Sequence, residues 1–438
     1  MSAAWSSSGA RRVRGVLRPL AVLLALASAG CAEAAREADP TFARADSILA
    51  EWVTAERIPG AVLLVSRNGE VVHDRAWGFA RLYDFGDGQY PGDGGIVRSP
   101  VSAPMSVGTI FDLASVTKVM ATTMAVMLLA DRGEIDVEAP VSTWLEDFTG
   151  DGREAITVRH LLTHRSGLPQ WVPVYYDSGD ADGAYAYLRS LPLSWSVGAE
   201  RHYSDLGFML LGHLVATVSG RSLDVFLQEE LYEPLGLTRT GFRPSAGTHG
   251  GSMAASDTPS AVAATSHGNP FERRMVHDPD FGYRIEGDPD RWNGWRRYTL
   301  AGEVNDGNAY HAFGGVAGHA GLFSTAAELD VLLRFLLAEG ALDGRRLLSP
   351  ETVRAFLAST GEEQALGWQL PGYAPEGSFG HTGFTGTFVL GVPARNMTLV
   401  LLTNRQNVGV DDATQYTDIG PLQRAVTEAL TNQPRETP

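Results

Sequence analysis

The 438-residue sequence contains one cysteine, Cys31, and one lysine, Lys118. A single thiol excludes an intrachain disulfide, a redox dithiol and a thiolate metal cluster. No Gly-x-Ser-x-Gly motif occurs, so the strained nucleophile turn that motif builds is missing. Positive charge is scarce: 35 Lys+Arg stand against 51 Asp+Glu, a net charge of -16. Four of the arginines (Arg11, Arg12, Arg14, Arg18) lie in the first 30 residues, which hold no acids; the remainder balances at 31 minus 51, or -20. Such a surface repels phosphate backbones and excludes general nucleic-acid binding. What is present, 44% hydrophobic and 20% charged residues, is the composition of a globular protein rather than a disordered or fibrous one.

Beyond the first thirty residues, no stretch is expected to be long and apolar enough to cross a membrane. The arginines precede Ala21-Val22-Leu23-Leu24-Ala25-Leu26-Ala27, too short to span a bilayer comfortably, followed by small residues and Cys31. A basic head, a short apolar stretch and small residues match an export signal. With Ser28-Ala29-Gly30 leading into the only cysteine, residues 1–30 resemble a bacterial lipoprotein signal, although Ser28 stands where Leu is usual. The resemblance implies lipidation of Cys31, a tether over residues 31–40, and an exported protein anchored to the cell-envelope membrane.

The remaining chain, residues 41–432, is expected to be one α+β domain. Arg67-Asn68-Gly69-Glu70 between apolar runs predicts a hairpin. Val116–Ala130 is apolar on nearly every face and predicts a buried central helix. Leu206, Met209, Leu210, His213 and Leu214 recur at helical spacing over 205–219, placing His213 among packed residues. Residues 243–311, rich in Gly, Pro, Asp and aromatics, read as an irregular excursion covering a cleft. Its His267, His277, Asp278 and Asp280 show no metal-ligand spacing, so neither a metal nor a cofactor is expected. A second hairpin is expected around Pro393–Asn396 and a closing helix over 421–431. Strands at both ends with helices between predict a mainly antiparallel sheet from about 41–118 and 320–432, with a helical insertion from about 119–319.

Arginine serves at the other 34 basic positions, so the lone lysine invites a chemical reason. Guanidinium cannot give up its proton, whereas a desolvated ammonium can. Ser115 stands three residues before Lys118, one helical turn away on the same face. A neutral amine there can take the serine proton and make acyl transfer feasible. Two more segments complete such a site. Tyr203-Ser204-Asp205 places a phenol and a carboxylate before a helix. His381-Thr382-Gly383-Phe384, with glycines at 380, 383 and 386, lets a substrate lie against a strand edge near an oxyanion-binding amide.

The order Ser-x-x-Lys, Tyr-x-Asp, His-Thr-Gly resembles the class C type serine β-lactamases with their related D-alanyl-D-alanine peptidases and esterases. The resemblance runs from about Ala43 to about Thr431 and includes Thr163-His164-Arg165-Ser166-Gly167-Leu168-Pro169 and Gly314–Ser324. It implies a helix-flanked, mainly antiparallel sheet with an inserted helical subdomain, the β-lactamase/transpeptidase-like fold. Ser115 would be the acylated nucleophile, Lys118 its proton partner and Tyr203 the proton-exchanging phenol. Asp205, His381, Thr382, Gly383 and Phe384 would bind substrate, the N–H groups of Ser115 and Phe384 holding the oxyanion.

Two positions depart from that pattern: Asp205 replaces a frequent Asn, and His381 replaces the usual Lys. If Asp205 points at Lys118, its charge favours the ammonium and shifts proton transfer toward Tyr203. An imidazole at 381, titrating near its reference value of about 6.5, holds a carboxylate poorly at neutral pH, so uncharged esters are expected to be preferred. His319 is expected to be a structural loop histidine, and His160 and His164 to belong to a helix end rather than to a Ser-His pair with Ser166. The leading reading is an exported serine hydrolase forming an acyl-enzyme on an ester, peptide or amide bond. The alternatives are a penicillin-recognising or peptidoglycan-binding protein that acylates with little turnover, and a true β-lactamase.

Overall fold

The computed structural model describes residues 40–86, 95–244, 262–283, 285 and 287–432. The predicted signal, Cys31 and all but the last residue of the predicted tether lie outside the described residues. Pro40 begins the first helix, α1 (Pro40–Thr54).

Six strands form the main sheet: β1 (Gly60–Arg67), β2 (Glu70–Phe85), β3 (Ile96–Pro104), β4 (Phe379–Thr382), β5 (Thr387–Val392) and β6 (Met397–Thr403). Their order is β4-β5-β6-β1-β2-β3, and every neighbouring pair is antiparallel. Asn68 and Gly69 both take positive φ, which an Asn-Gly turn tolerates, and they join β1 to β2 as predicted. The predicted Pro393–Asn396 connection joins β5 to β6, with Asn396 also at positive φ.

Central strand β1 is buried along seven of its eight residues, because it is covered on both faces. Leu63 and Val65 face a core with Leu401, α1 residues Leu49 and Trp52, and Leu422 and Val426 of the closing helix Gly420–Thr431. Val62 and Leu64 face a second core, shared with Val400, Leu402 and the helical part of the chain. Alternation along one strand thus separates two apolar layers. Between β3 and β4 the chain builds the helices that carry the cleft residues, among them α2 (Met124–Asp131), α3 (Asp205–Ser219) and α4 (Pro270–His277).

The predicted Val116–Ala130 helix is present but not uniform. It opens as a 3₁₀ turn, Ala114–Val116, continues as a π-helical stretch, Lys118–Thr123, and becomes α-helical in α2. Residues Ala114–Asp131 are apolar and long enough to cross a membrane by composition, yet 83% of that window is buried within the fold. The described part of 243–311 is less irregular than expected, since it holds α4, a second short helix Gly307–His311 and the paired strands Ala264–His267 and Thr299–Ala301.

Candidate active site

Ser115 sits at the turn between a two-residue strand, Phe111–Asp112, and the central helix. Several groups fix this turn. Asp112 accepts from the Ala114 N–H (2.8 Å) and the Asn305 N–H (2.6 Å), and the Leu113 N–H donates to the Leu322 carbonyl (2.9 Å). Burial pushes the Asp112 carboxyl up to about 6, against those two donors. Ala114 is held at φ 45°, a left-handed conformation that is costly for a residue with a Cβ. Strain of this kind persists only where the surroundings over-determine it, and here it aims the next side chain, Ser115, into a cavity of about 250 Å³.

Lys118 is completely buried one turn further on. Its Nζ donates to Ser115 Oγ (3.0 Å) and to the His319 carbonyl (3.1 Å), and pairs with Asp205 Oδ1 at 2.7 Å. Burial alone would push the lysine down, but the Asp205 carboxylate, with Tyr203, outweighs it and holds Lys118 above its ordinary value. With two hydrogen-bond acceptors and the Asp205 charge beside it, the resting side chain is charged. The neutral amine expected from the lone lysine is corrected by this pairing.

Tyr203 and Asp205 are placed by the N-terminus of α3. Ser204 caps it, accepting from the Gly207 N–H, while its own hydroxyl donates to the Pro169 carbonyl (2.6 Å) and its N–H to His164 Nδ1 (3.1 Å). His164 is buried at positive φ just past the short helix Val158–Leu162, and its ring packs on Tyr203 (centroids 4.4 Å) and Phe208 (5.2 Å). Burial, reinforced by the Lys118 charge, holds this imidazole well below its usual range. The Thr163–Pro169 segment is thus the buttress of Tyr203, as its helix-end reading implies. Tyr203 lies beside Lys118, whose Nζ is 5.0 Å from the ring centroid, and burial raises its phenol, so it too rests protonated.

The strand that faces this turn arrives from nearly 270 residues away. Thr385 Oγ1 donates to the Asp112 carbonyl (2.7 Å) and Thr387 Oγ1 to the Leu113 carbonyl (2.9 Å), clamping the 382–387 segment onto the Ser115 turn. Gly383 lies in the seam, where a Cβ would collide with Thr387 Oγ1 and the Leu113 carbonyl. Arg405 grips the Phe384 carbonyl through Nε (3.0 Å) and Nη2 (2.8 Å). The clamp leaves Phe384 lining the same cavity as Ser115 and Tyr203, while Thr382 lines a second cavity of about 650 Å³.

His381 behaves differently from the expectation. Only 1% of it is exposed, its Nδ1 bonds to the Thr382 carbonyl (2.7 Å), and burial, with the Lys118 charge, pushes it down to about 3. Burial thus favours the neutral imidazole well below pH 6.5, against the titration near neutrality expected of it. His319 lies in a loop as expected, buried and with its Nε2 2.9 Å from Asp306 Oδ1, and it also lines the Ser115 cavity. His213 stacks on Tyr185 at 3.8 Å, the packed position expected of it.

Other cavity residues were not legible in the sequence. Gln170, Trp171, Glu272 and Tyr283 join Asn305 and Asp306 around Ser115. Glu272, from α4, accepts from the Gly307 N–H (2.7 Å), and burial, with the Asp306 charge, pushes its carboxyl above the ordinary range. The excursion does cover the cleft, through α4 and the Asn305–Gly307 turn. Among the described residues, no group of three or more His, Cys, Asp or Glu side chains is placed to hold a metal ion.

A serine and a buried lysine 3.0 Å apart, a phenol beside both and a strand edge opposite form the arrangement that the sequence order suggested. The family model described as Beta-lactamase matches residues 45–422. The chain belongs to the β-lactamase family. An N-acetylmuramyl-L-alanine amidase of Bacillus subtilis strain 168 is 33% identical over 406 residues, covering 87% of this chain and 85% of that relative. A provisionally named D-alanyl-D-alanine carboxypeptidase of Escherichia coli strain K12 is 31% identical over 381 residues, covering 81% and 80%. A penicillin-binding protein homologue from Caulobacter crescentus shares the fold at a TM-score of 0.62 and 21% identity, over 89% of this chain and 97% of its own. The antiparallel sheet with flanking helices is therefore the β-lactamase/transpeptidase-like fold.

Proposed function

We propose that this β-lactamase-family chain is an exported serine hydrolase that forms an acyl-enzyme at Ser115 on the amide or peptide bond of a cell-wall fragment. The observation that carries the reading is the 3.0 Å contact between Ser115 Oγ and the buried Lys118 Nζ. The names of the two relatives, an amidase and a carboxypeptidase, support an amide over an ester, and the cavity sets Gln170 and Asn305 among Trp171, Phe271, Met275 and Tyr283, giving a substrate both polar and apolar contacts.

The proton path follows from the resting charges. Lys118 passes a proton to Asp205, 2.7 Å away, and the resulting neutral amine takes the Ser115 proton as Oγ attacks the carbonyl carbon. The net change is Ser115 alkoxide character with a protonated Asp205, and Lys118 remains a cation that stabilises the developing charge. The N–H groups of Ser115 and Phe384 receive the oxyanion. Collapse breaks the carbon–nitrogen bond, and Tyr203, held protonated beside Ser115 and Lys118, donates to the leaving amine. The phenolate recovers its proton through Lys118 from Asp205. Water then attacks the acyl group, its proton returning to Ser115 through the same groups. Asp205 serves here as a terminal proton store, while Thr382, Gly383 and Phe384 position the substrate.

Export and attachment through a lipidated Cys31 belong to the same reading, and a cell-wall substrate lies where such an anchor leads. Intact mass spectrometry after a fluorophosphonate, and separately after a penicillin, tests the site. Ser115→Ala is expected to abolish both the adduct and turnover. An adduct that persists in this variant, or that maps to Ser166, overturns the assignment. A penicillin adduct on the wild type that outlasts many amide turnovers would instead favour a penicillin-recognising protein with little turnover.

A further inference from the structure

The fixed charges lining the Ser115 cavity are of one sign. Asp205, Glu272 and Asp306 line it, and among the described residues no arginine or lysine does. Asp205 is matched by Lys118 at 2.7 Å. Glu272 and Asp306 have no arginine or lysine within ion-pair distance among the described residues. The buried Arg296 guanidinium, whose charge reaches Glu272, is bonded instead to Asn269, Glu303 and the Val304 and Asn305 carbonyls. Burial, with the Asp306 charge, pushes the Glu272 carboxyl up, so the two carboxyls repel each other and a cation beside them relieves both.

Two acceptors in this wall are left open. Asp306 accepts from the Ala309 N–H (2.7 Å) and pairs with His319 Nε2 (2.9 Å). Both contacts fall on Oδ1, which leaves Oδ2 for a ligand. With Nε2 turned to a carboxylate, the His319 proton sits there and Nδ1 presents a lone pair. That nitrogen is buried and has no hydrogen-bond partner among the described residues, in a side chain only 1% exposed that lines the same cavity. An unused buried acceptor asks for a donor.

The other walls are aromatic. Trp171 and Tyr283 meet at 5.4 Å between ring centroids, and Phe271 meets Phe384 at 5.1 Å. Ring faces attract a cation, and carboxylates beside them add charge-assisted hydrogen bonds. An anionic group would meet two like charges here. The volume of about 250 Å³ lies below the roughly 300–1,000 Å³ of sites for drug-sized ligands, so it admits one residue-sized group. Ser115 lines this cavity and not the larger one beside Thr382, so the part of the substrate that stays on Oγ is the part held here.

Resting on the acyl-enzyme reading above, we infer that the Ser115 cavity selects an acyl group bearing an ammonium, held by Asp306, Glu272 and His319 against the Trp171 and Tyr283 rings. An ammonium has donors enough for both Asp306 Oδ2 and His319 Nδ1. A free α-amine and a side-chain amine supply the same chemistry.

Two pairs of chromogenic anilides, each as both enantiomers, separate those sources. Alanyl against N-acetylalanyl p-nitroanilide reads an α-amine, and Nα-acetyl-lysyl against Nα-acetyl-norleucyl p-nitroanilide reads a side-chain amine. In the pair whose amine reaches the wall, the cationic member is expected to lead by about 10- to 100-fold in kcat/KM. Asp306→Asn keeps an acceptor for the Ala309 N–H but drops the charge. It should collapse that ratio toward one, the cationic member losing far more than the neutral one. A readout free of turnover accompanies it: n-butylammonium should protect wild-type Ser115 from a fluorophosphonate at a concentration about tenfold or more below that needed of n-butanol. Ratios of one in both pairs with equal protection by the two additives overturn the assignment, as does a preference that survives unchanged in Asp306→Asn. Wild type that labels without preferring the cation sinks the ammonium site alone, whereas unlabelled wild type sinks the acyl-enzyme reading and this site with it.

Discussion

Asp205 is the residue whose replacement tests the proton path most directly. It lies 2.7 Å from a lysine with no exposure of its own, while its own side chain is 19% exposed. In an effective dielectric of about 20, unit charges at that separation attract by about 6 kcal/mol. Partial exposure of the carboxylate trims this, so about 3–4 kcal/mol is a reasonable share for holding the ammonium. Asp205→Asn removes that share but leaves the burial that favours the neutral amine. Each 1.4 kcal/mol or so is tenfold in a protonation equilibrium, so the lysine's balance moves toward the free base by about 100-fold or more. The variant then loses its proton store but gains an amine that accepts the Ser115 proton directly. The wild type, with its lysine charged throughout, should show an acylation rate that is flat from about pH 6 to 8.5. A fall of about two to three pH units from a value above the ordinary lysine range leaves Lys118 titrating in alkali, so the variant should acylate about 10- to 100-fold more slowly up to about pH 8.5 and climb toward the wild-type rate only above it, which extends the range to be followed to about pH 10.5. Stopped-flow acylation with a chromogenic amide over that range gives both profiles. A variant profile with the wild-type shape, at any height, would show that Asp205 does not set the protonation state of Lys118 and would refute the relay.

His381 offers a stability prediction with a definite sign. Its folded value of about 3 lies below the unfolded value of about 6.5, so the neutral folded form contributes stability that is present above pH 6.5 and is lost as pH falls toward 3. The full contribution is on the order of 4–5 kcal/mol. Chemical denaturation of wild type and His381→Asn at pH 7 and pH 4.5 should show a smaller acid loss in the variant, and identical losses would show that the imidazole is accessible to protons in the folded state. Cys31→Ser should move the protein from the detergent phase to the aqueous phase of a cloud-point separation, and a wild type already in the aqueous phase would contradict a lipid anchor.

Local signals were the legible ones. Asn68-Gly69 specifies its hairpin through backbone conformations those residues tolerate, and the 3.6-residue recurrence from Leu206 to Leu214 specifies α3. The Ser115–Lys118 spacing and the conditional effect of an Asp205 aimed at Lys118 were also readable, because both are one-turn or one-contact arguments. The His381 result was not. Tyr203, which shares no sequence neighbourhood with it, packs nearby, and the Lys118 charge acts on it across the fold. Glu272 and Asp306 sit in a segment whose composition reads as loop, and nothing short of the fold brings them to Ser115.

The threonine clamp between the nucleophile turn and the last hairpin has a consequence for when activity arises during synthesis. Residues 112–118 emerge from the ribosome long before residues 379–403, yet Thr385 and Thr387 must reach the Asp112 and Leu113 carbonyls to complete the site. Strand β1 likewise waits for β6, its partner across the whole register from Ala61–Thr403 to Arg67–Met397. A nascent chain lacking the C-terminal strands therefore has a central strand paired with β2 alone and open along its other edge, and it lacks the Phe384 segment that faces Ser115. Such a chain is inert as a catalyst but open to misassociation through β1, which favours keeping it unfolded and chaperoned until the last hairpin is available. Catalysis and the closing of the sheet are one event, so a hydrolase of this design is silent in any compartment where its translation is unfinished.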